Sequence, residues 1–283
     1  MRLLLLSFFL LANTVFAQNE TPALKFDTKF YDAVDNWVAF PSQKSDSIFN
    51  YGYIYIDEDA GFTFEIGNTF TITNDNKFIA KPPSKTNRSI YRIDKNWKPL
   101  AIIPKDKVAE MGLPEQPESM DVYKENSESA SYLKNIGYFY NSVGASHQAL
   151  EPLKKAYKKE PHFNGLEFEL SFAYNALRKF EKAVPVLKKA LENDPDNYRF
   201  YRELGFASLN LQRFDEAEKI YRNGIALTED TFQKSEMAVN MAQAYFQLKN
   251  KEKFKEWAEI TRNYAKENSR YSQYITLLEQ NWK

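Results

Sequence analysis

From residue 130 onward the sequence returns to the same residue types every 34 positions, and this most narrows what the chain can fold into. Gly137, Ser171 and Gly205 keep that step, as do Ala149, Ala183 and Ala217. Leu153, Leu187 and Tyr221 follow it, and so do Ala156, Ala190 and Gly224. Pro161 pairs with Pro195, and Tyr140 with Tyr174. A fixed period of this length marks stacked supersecondary units, none of which can bury its apolar face alone.

The set resembles the tetratricopeptide repeat, whose unit runs large–x2–Leu–Gly–x2–Tyr, then Ala–x3–Phe, then Pro. The resemblance implies two helices, A and B, in each of the units 130–163, 164–197 and 198–231. The small residues at 137, 171 and 205, and the alanines at 149, 183 and 217, let the paired helices approach. Leu153, Leu187 and Tyr221 fill the space between them, and the prolines stop helix B. A degenerate fourth unit is placed at 235–268, its frame starting three residues late at Ser235, with Met241, Ala242 and Tyr245 on helix A. Phe254 stands where the helix B alanine belongs, beside Trp257 and Ala258. Residues 269–283, with Tyr271, Tyr274, Ile275 and Leu278 on one face, are expected to cap the array.

In this family helix A lines a concave groove through positions 2, 5, 9 and 12 of each unit. Those positions hold Lys134, Tyr138 and Asn141, then Phe168, Phe172 and Asn175, then Arg199, Arg202, Phe206 and Leu209. The fourth unit adds Val239, Gln243 and Phe246. An aromatic column with polar and basic neighbours suits a protein or peptide partner with apolar anchors. The carboxylate clamp of the family's chaperone-binding members is incomplete: Lys134 and Arg199 keep two of its charges, while Tyr138, Glu169 and Glu203 replace the rest. The aromatics could instead pack on one another or on the N-terminal half.

Ahead of the array the pattern changes. Phe30, Ala33, Val34, Trp37 and Val38 fall at helical spacing, so a helix is expected there. Phe49, Tyr51, Tyr53 and Tyr55 alternate as a strand, followed by strands at Phe62–Ile66 and Phe70–Ile72. Turns are expected at 57–61, 67–68 and 74–76, and short strands at Lys77–Ala80, Ser89–Ile93 and Leu100–Ile103. The fold class is therefore an α+β domain over 18–112, a helix on an antiparallel sheet, then a linker at 113–129 and the all-α solenoid of 130–268.

Residues 1–17 read as a signal peptide: Met1-Arg2, the apolar run Leu3–Ala12, then Val15-Phe16-Ala17 before cleavage at Gln18. At fifteen residues, Leu3–Ala17 falls short of the roughly 20 that span a bilayer. With no Cys after the run, the lipoprotein route is closed. An exported chain, periplasmic or secreted from a Gram-negative bacterium, is the expectation. Zero cysteines also exclude disulfides, thiol catalysis and thiolate metal sites.

Thirty-eight basic residues balance 38 acidic ones, leaving no basic half to neutralise nucleic-acid phosphates. His147 and His162 both fall near turns between helices, which argues against catalysis or metal binding. Asp57-Glu58-Asp59 fits an acidic hairpin turn better than a calcium loop, since Ala60-Gly61 follow directly. HExxH, GxSxG, a phosphate loop and a dinucleotide fingerprint are all missing, so neither enzyme activity nor a cofactor is expected. The Tyr51/Tyr53/Tyr55 stripe reads as a half-buried sheet face, with a ligand-stacking platform as the alternative. The function read from the sequence is a non-enzymatic, exported scaffold or adaptor. The alternative is a small-ligand or enzymatic N-terminal domain that the repeats target.

Overall fold

A computed structural model describes residues 24–40, 48–83 and 89–282 of the chain. The expected signal peptide lies outside the described residues. Six strands form one antiparallel sheet: β1 (Asn36–Phe40), β2 (Ile48–Asp57), β3 (Gly61–Ile72), β4 (Phe78–Ala80), β5 (Ile90–Arg92) and β6 (Ala101–Ile102). Their order is β4-β3-β2-β1-β6, and β5 pairs with the first half of β3.

Two sequence expectations fail here, each for a local reason. The helix expected over Phe30–Val38 is a single 3-10 turn, Phe30–Asp32, followed by β1. Asp35, at φ 62°, redirects the chain between them. Phe30, Ala33 and Val38 still reach one apolar cluster, but strand alternation sends Trp37 through the sheet to the other. Helical spacing was met by a turn plus a strand. The turn expected at Gly67-Asn68 is likewise absent, because β3 runs on through it with a bulge opposite Tyr51 and Gly52. A Cβ on Gly67 would lie 2.3 Å from the Tyr51 ring, so only glycine admits that ring. The extra residue switches the pleat: Phe62 and Phe64 face one side, Phe70 the other.

Both sheet faces are covered. On one, Tyr51, Tyr53 and Tyr55 are at most 2% exposed beneath Met111, Leu113 and Met120. The stripe is thus neither half-buried nor an open platform. Leu113 and Met120 belong to the 113–129 stretch, so that segment packs on the sheet and carries helix α2 (Met120–Tyr123), after α1 (Lys105–Glu110). On the other face, Ile54, Phe62 and Phe64 pack with Ile136, Phe139 and Tyr140.

Those last three residues belong to α3 (Ala130–Ser142), which opens a run of antiparallel helix pairs. The pairs are α3 with α4 (Ser146–Lys159), α5 (Leu166–Ala176) with α6 (Phe180–Asn193), α7 (Tyr198–Asn210) with α8 (Phe214–Leu227), and α9 (Thr231–Gln247) with α10 (Lys251–Tyr264). The repeat positions behave as their residue types require. A Cβ on Gly137 would come within 2.3 Å of Leu153, and one on Gly205 within 2.4 Å of Tyr221. Ala149, Ala183, Ala217, Leu153, Leu187 and Tyr221 are all fully buried. Between A and B helices the chain turns at Gly144, Arg178, Gln212 and Lys249, each with φ between 55° and 79°. A final helix, α11 (Arg270–Gln280), buries Ile275 and Leu278 against the last pair.

Candidate partner-binding groove

The A helices α3, α5, α7 and α9 stand side by side, and their shared face carries two adjoining clefts. One, of about 800 Å³, lies between α3, α5, α7 and the β2–β3 turn, whose Glu58 and Asp59 form its rim. The other, of about 720 Å³, crosses α5, α7 and α9. Arg202 and Gln233 line both.

Lys134, Tyr138, Phe168, Arg199 and Arg202 line the first cleft, and Phe172, Asn175, Arg202 and Phe206 the second, so the structure brings most of the expected site together. Tyr138 is 47% exposed and Phe206 38%. Phe168 and Phe172 lie 6.3 Å apart, and the guanidinium groups of Arg199 and Arg202 sit 5.9 and 5.4 Å from the centre of the Phe168 ring. Arg202 is held by Glu203 at 2.9 Å and by the Gln233 side chain at 2.6 Å. Arg199 and Lys134 make no ion pair among the described residues. Tyr138, Phe172 and Phe206 do not stack on one another; their ring partners are Phe139, Phe168 and Phe180. The sheet docks on α3 through Ile136, Phe139 and Tyr140, leaving Tyr138 in the cleft.

Other expected groove residues are committed elsewhere, and Asn175 lines the second cleft with its amide already engaged. Asn141 and Asn175 are buried, and each donates its amide hydrogens to a glutamate of the next unit, 28 positions on: Asn141 to Glu169 and Asn175 to Glu203. Their donors are spent inside the array. Burial pushes the Glu169 carboxyl above its usual range, opposed mainly by the Asn141 hydrogen bond. Phe246 belongs to the terminal core, edge-on to Phe254 at 5.7 Å and to Trp282 at 5.3 Å.

The Phe246 displacement has a clear origin. Helix α9 has 17 residues where α3 and α7 have 13. Helices α4, α6 and α8 begin at Ser146, Phe180 and Phe214, a step of 34, whereas α10 begins at Lys251, a step of 37. The three extra residues sit at the far end of α9, so its groove face keeps the 34-residue register. Gln233, Glu236 and Asn240, counted 34 from Arg199, Arg202 and Phe206, line the second cleft. Shifting the frame to Ser235 takes Gln233 and Asn240 off the groove positions and leaves Glu236 at position 2, where it is not singled out; the unshifted period finds all three. Val239, chosen by the shifted frame, is buried in the core, and Gln243 faces a neighbouring hollow beside Phe206.

The remaining chemical candidates sit apart from the groove or at its edge. Asp57 accepts the backbone N–H groups of Asp59 and Ala60 and pairs with Arg92 at 3.1 Å, so it serves the turn. His147 lies 3.5 Å from Asp32, and His162 Nδ1 lies 2.9 Å from Glu167. Among the described residues, no helix is long and apolar enough to cross a membrane.

The tetratricopeptide repeat family model matches residues 174–233. Among solved structures, MamA of strain AMB-1 is 24% identical, covering 52% of this chain and 84% of its own, with a TM-score of 0.44. TTC0263, a thermophilic TPR protein of Thermus thermophilus, is 22% identical over 57% of this chain and 87% of its own, with a TM-score of 0.48. PilF of Pseudomonas aeruginosa is 14% identical over 56% and 73%, with a TM-score of 0.45. No curated protein sequence matches the chain.

Proposed function

Because this chain is a tetratricopeptide repeat protein, we propose that it acts as a scaffold holding a protein or peptide partner in its concave groove. The observation that carries this reading is the pair of adjoining clefts, with Tyr138 and Phe206 exposed in them and with Lys134 and Arg199 free of ion pairs among the described residues. Aromatic anchors supply most of the energy in such sites, and unpaired cations at the rim set orientation. The signal-like character of residues 1–17 supports a place outside the cytoplasm, in the periplasm or beyond, where the scaffold serves an envelope assembly without catalysing a reaction.

The test is capture from envelope extract by residues 18–283, beside Phe172→Ala/Phe206→Ala. Both phenylalanines are only partly buried, so the double variant keeps its helix content. Proteins retained by the first and lost by the second support the groove. Identical sets from both overturn it.

A further inference from the structure

Tyr53 is a buried polar side chain that the fold leaves unused. It is 2% exposed and packs edge-on against Trp37 at 5.3 Å, yet its hydroxyl has no hydrogen-bond partner among the described residues. On the same strand, Tyr51 donates to the Lys81 carbonyl at 2.7 Å. The Tyr55 hydroxyl is sealed from solvent beside Tyr123, whose ring is 4.7 Å away. Tyr53 lines a cleft of about 620 Å³ between the sheet, α1 and the segment that follows α1, and Tyr55 does not. That volume lies in the range of about 300–1,000 Å³ found for small-molecule sites.

The cleft's chemistry narrows its occupant. Trp37, Ile103, Val108 and Leu113 make an apolar lining. Every charge at its mouth is already matched: Asp35 with Lys124 at 2.8 Å, and Glu115 with Lys105 at 3.4 Å. The Trp37 indole N–H is spent on the Pro114 carbonyl at 2.8 Å. Asn36, whose amide N–H is spent on the Val34 carbonyl at 2.9 Å, and Gln116 add uncharged polar groups. The most enclosed polar group is the Tyr53 hydroxyl, kept protonated by burial and then by nearby Asp35 and Glu115. It is therefore a donor with no protein acceptor, open to the cleft and available to a ligand that displaces water from it. We infer that this cleft binds a small uncharged molecule with an apolar body and one carbonyl-type acceptor directed at Tyr53. An ion finds no unmatched counter-charge on the lining to offset the loss of its hydration.

Ligand-observed saturation-transfer NMR on residues 18–283 tests this with N-methylbenzamide, against benzoate and benzylammonium as charged probes of matched size. The amide binds, and both ions bind about ten-fold more weakly or not at all. Tyr53→Phe, which removes only the hydroxyl, weakens amide binding about five-fold. Ala109→Trp, which fills the cleft from the exposed side of α1, abolishes it, and both variants melt with the wild type. An unbound amide would mean a crevice that holds water alone, and overturns the inference. It is overturned equally by amide binding that survives Ala109→Trp, by Tyr53→Phe binding as well as wild type, or by ions that bind as well as the amide.

Discussion

The side-chain amide of Asn141 reaches across to the next repeat unit and meets Glu169 twice, at its backbone carbonyl (3.0 Å) and at its carboxylate (2.8 Å). Asn175 repeats the arrangement with Glu203 at 3.1 and 2.9 Å. One unit further the same two positions hold Leu209 and Met237, which join the terminal apolar core. Two chemistries thus solve one packing problem between successive A helices.

Asn141→Leu leaves the partly buried Glu169 carboxylate without the Asn141 donor and costs about 1–2 kcal/mol in urea unfolding. Asn141→Leu/Glu169→Met copies the Leu209–Met237 solution and recovers most of that loss. A double variant as unstable as the sum of its parts would refute the equivalence. The single variant also has a pH signature. The folded Glu169 value is already raised, so its contribution falls as pH climbs through that value. The penalty of Asn141→Leu is therefore greatest at neutral pH and shrinks in acid.

The helix-pair contacts at Gly137 and Gly205 respond unequally to one added methyl. Gly137→Ala drives a Cβ into a Leu153 side chain that can change rotamer, and costs about 1–2 kcal/mol. Gly205→Ala meets the fully buried Tyr221 ring and costs about 3 kcal/mol. Denaturant midpoints in which Gly205→Ala is the milder change would contradict this ordering.

At the inter-helix turns, Arg178 and Gln212 occupy left-handed backbone at φ 57° and 60°, where the first unit has Gly144. Arg178→Gly and Gln212→Gly should each raise stability by about 0.5–1 kcal/mol, read as a higher melting temperature. A fall in both would show that the side chains do more there than endure strain.

Acid weakens the last two helix pairs first. Burial pushes the Glu218 carboxyl up, but hydrogen bonds from Tyr245, Lys253 and Arg222 outweigh it and hold the group down to about 2. A depressed carboxylate contributes stability above its unfolded value that is lost as pH falls through the folded one. Glu218→Gln is therefore less stable than wild type at pH 7, by about 1–2 kcal/mol given the exposure of its cationic partners. The gap should close as pH drops from about 4.5 toward 2; a gap constant with pH would assign the loss to packing instead.

The array was legible because its information is local and periodic: Ala149, Ala183 and Ala217 declare helix pairing whatever surrounds them. The aromatic column was legible for the same reason, since Phe172 and Phe206 inherit their direction from the repeat. Asn141 and Asn175 misled, because a polar residue at a groove position reads as a ligand contact until the neighbouring unit's glutamate is in view. The N-terminal half was harder for a related reason. Whether Phe30 to Val38 forms a helix depends on pairing with Ile54 and Ile102, distant in sequence. The Gly67 bulge leaves room for the Tyr51 ring, a neighbour that only the strand pairing reveals.

The added turn of α9 comes after the last residue that faces the concavity. A bound chain would meet four evenly phased rungs, because the slip in phase falls beyond the groove-facing residues of α9. The terminal core, by contrast, is rebuilt around it, with Phe254 and Trp282 taking up the room. Length can thus be inserted at the distal end of such a helix without rewriting what the inner surface reads.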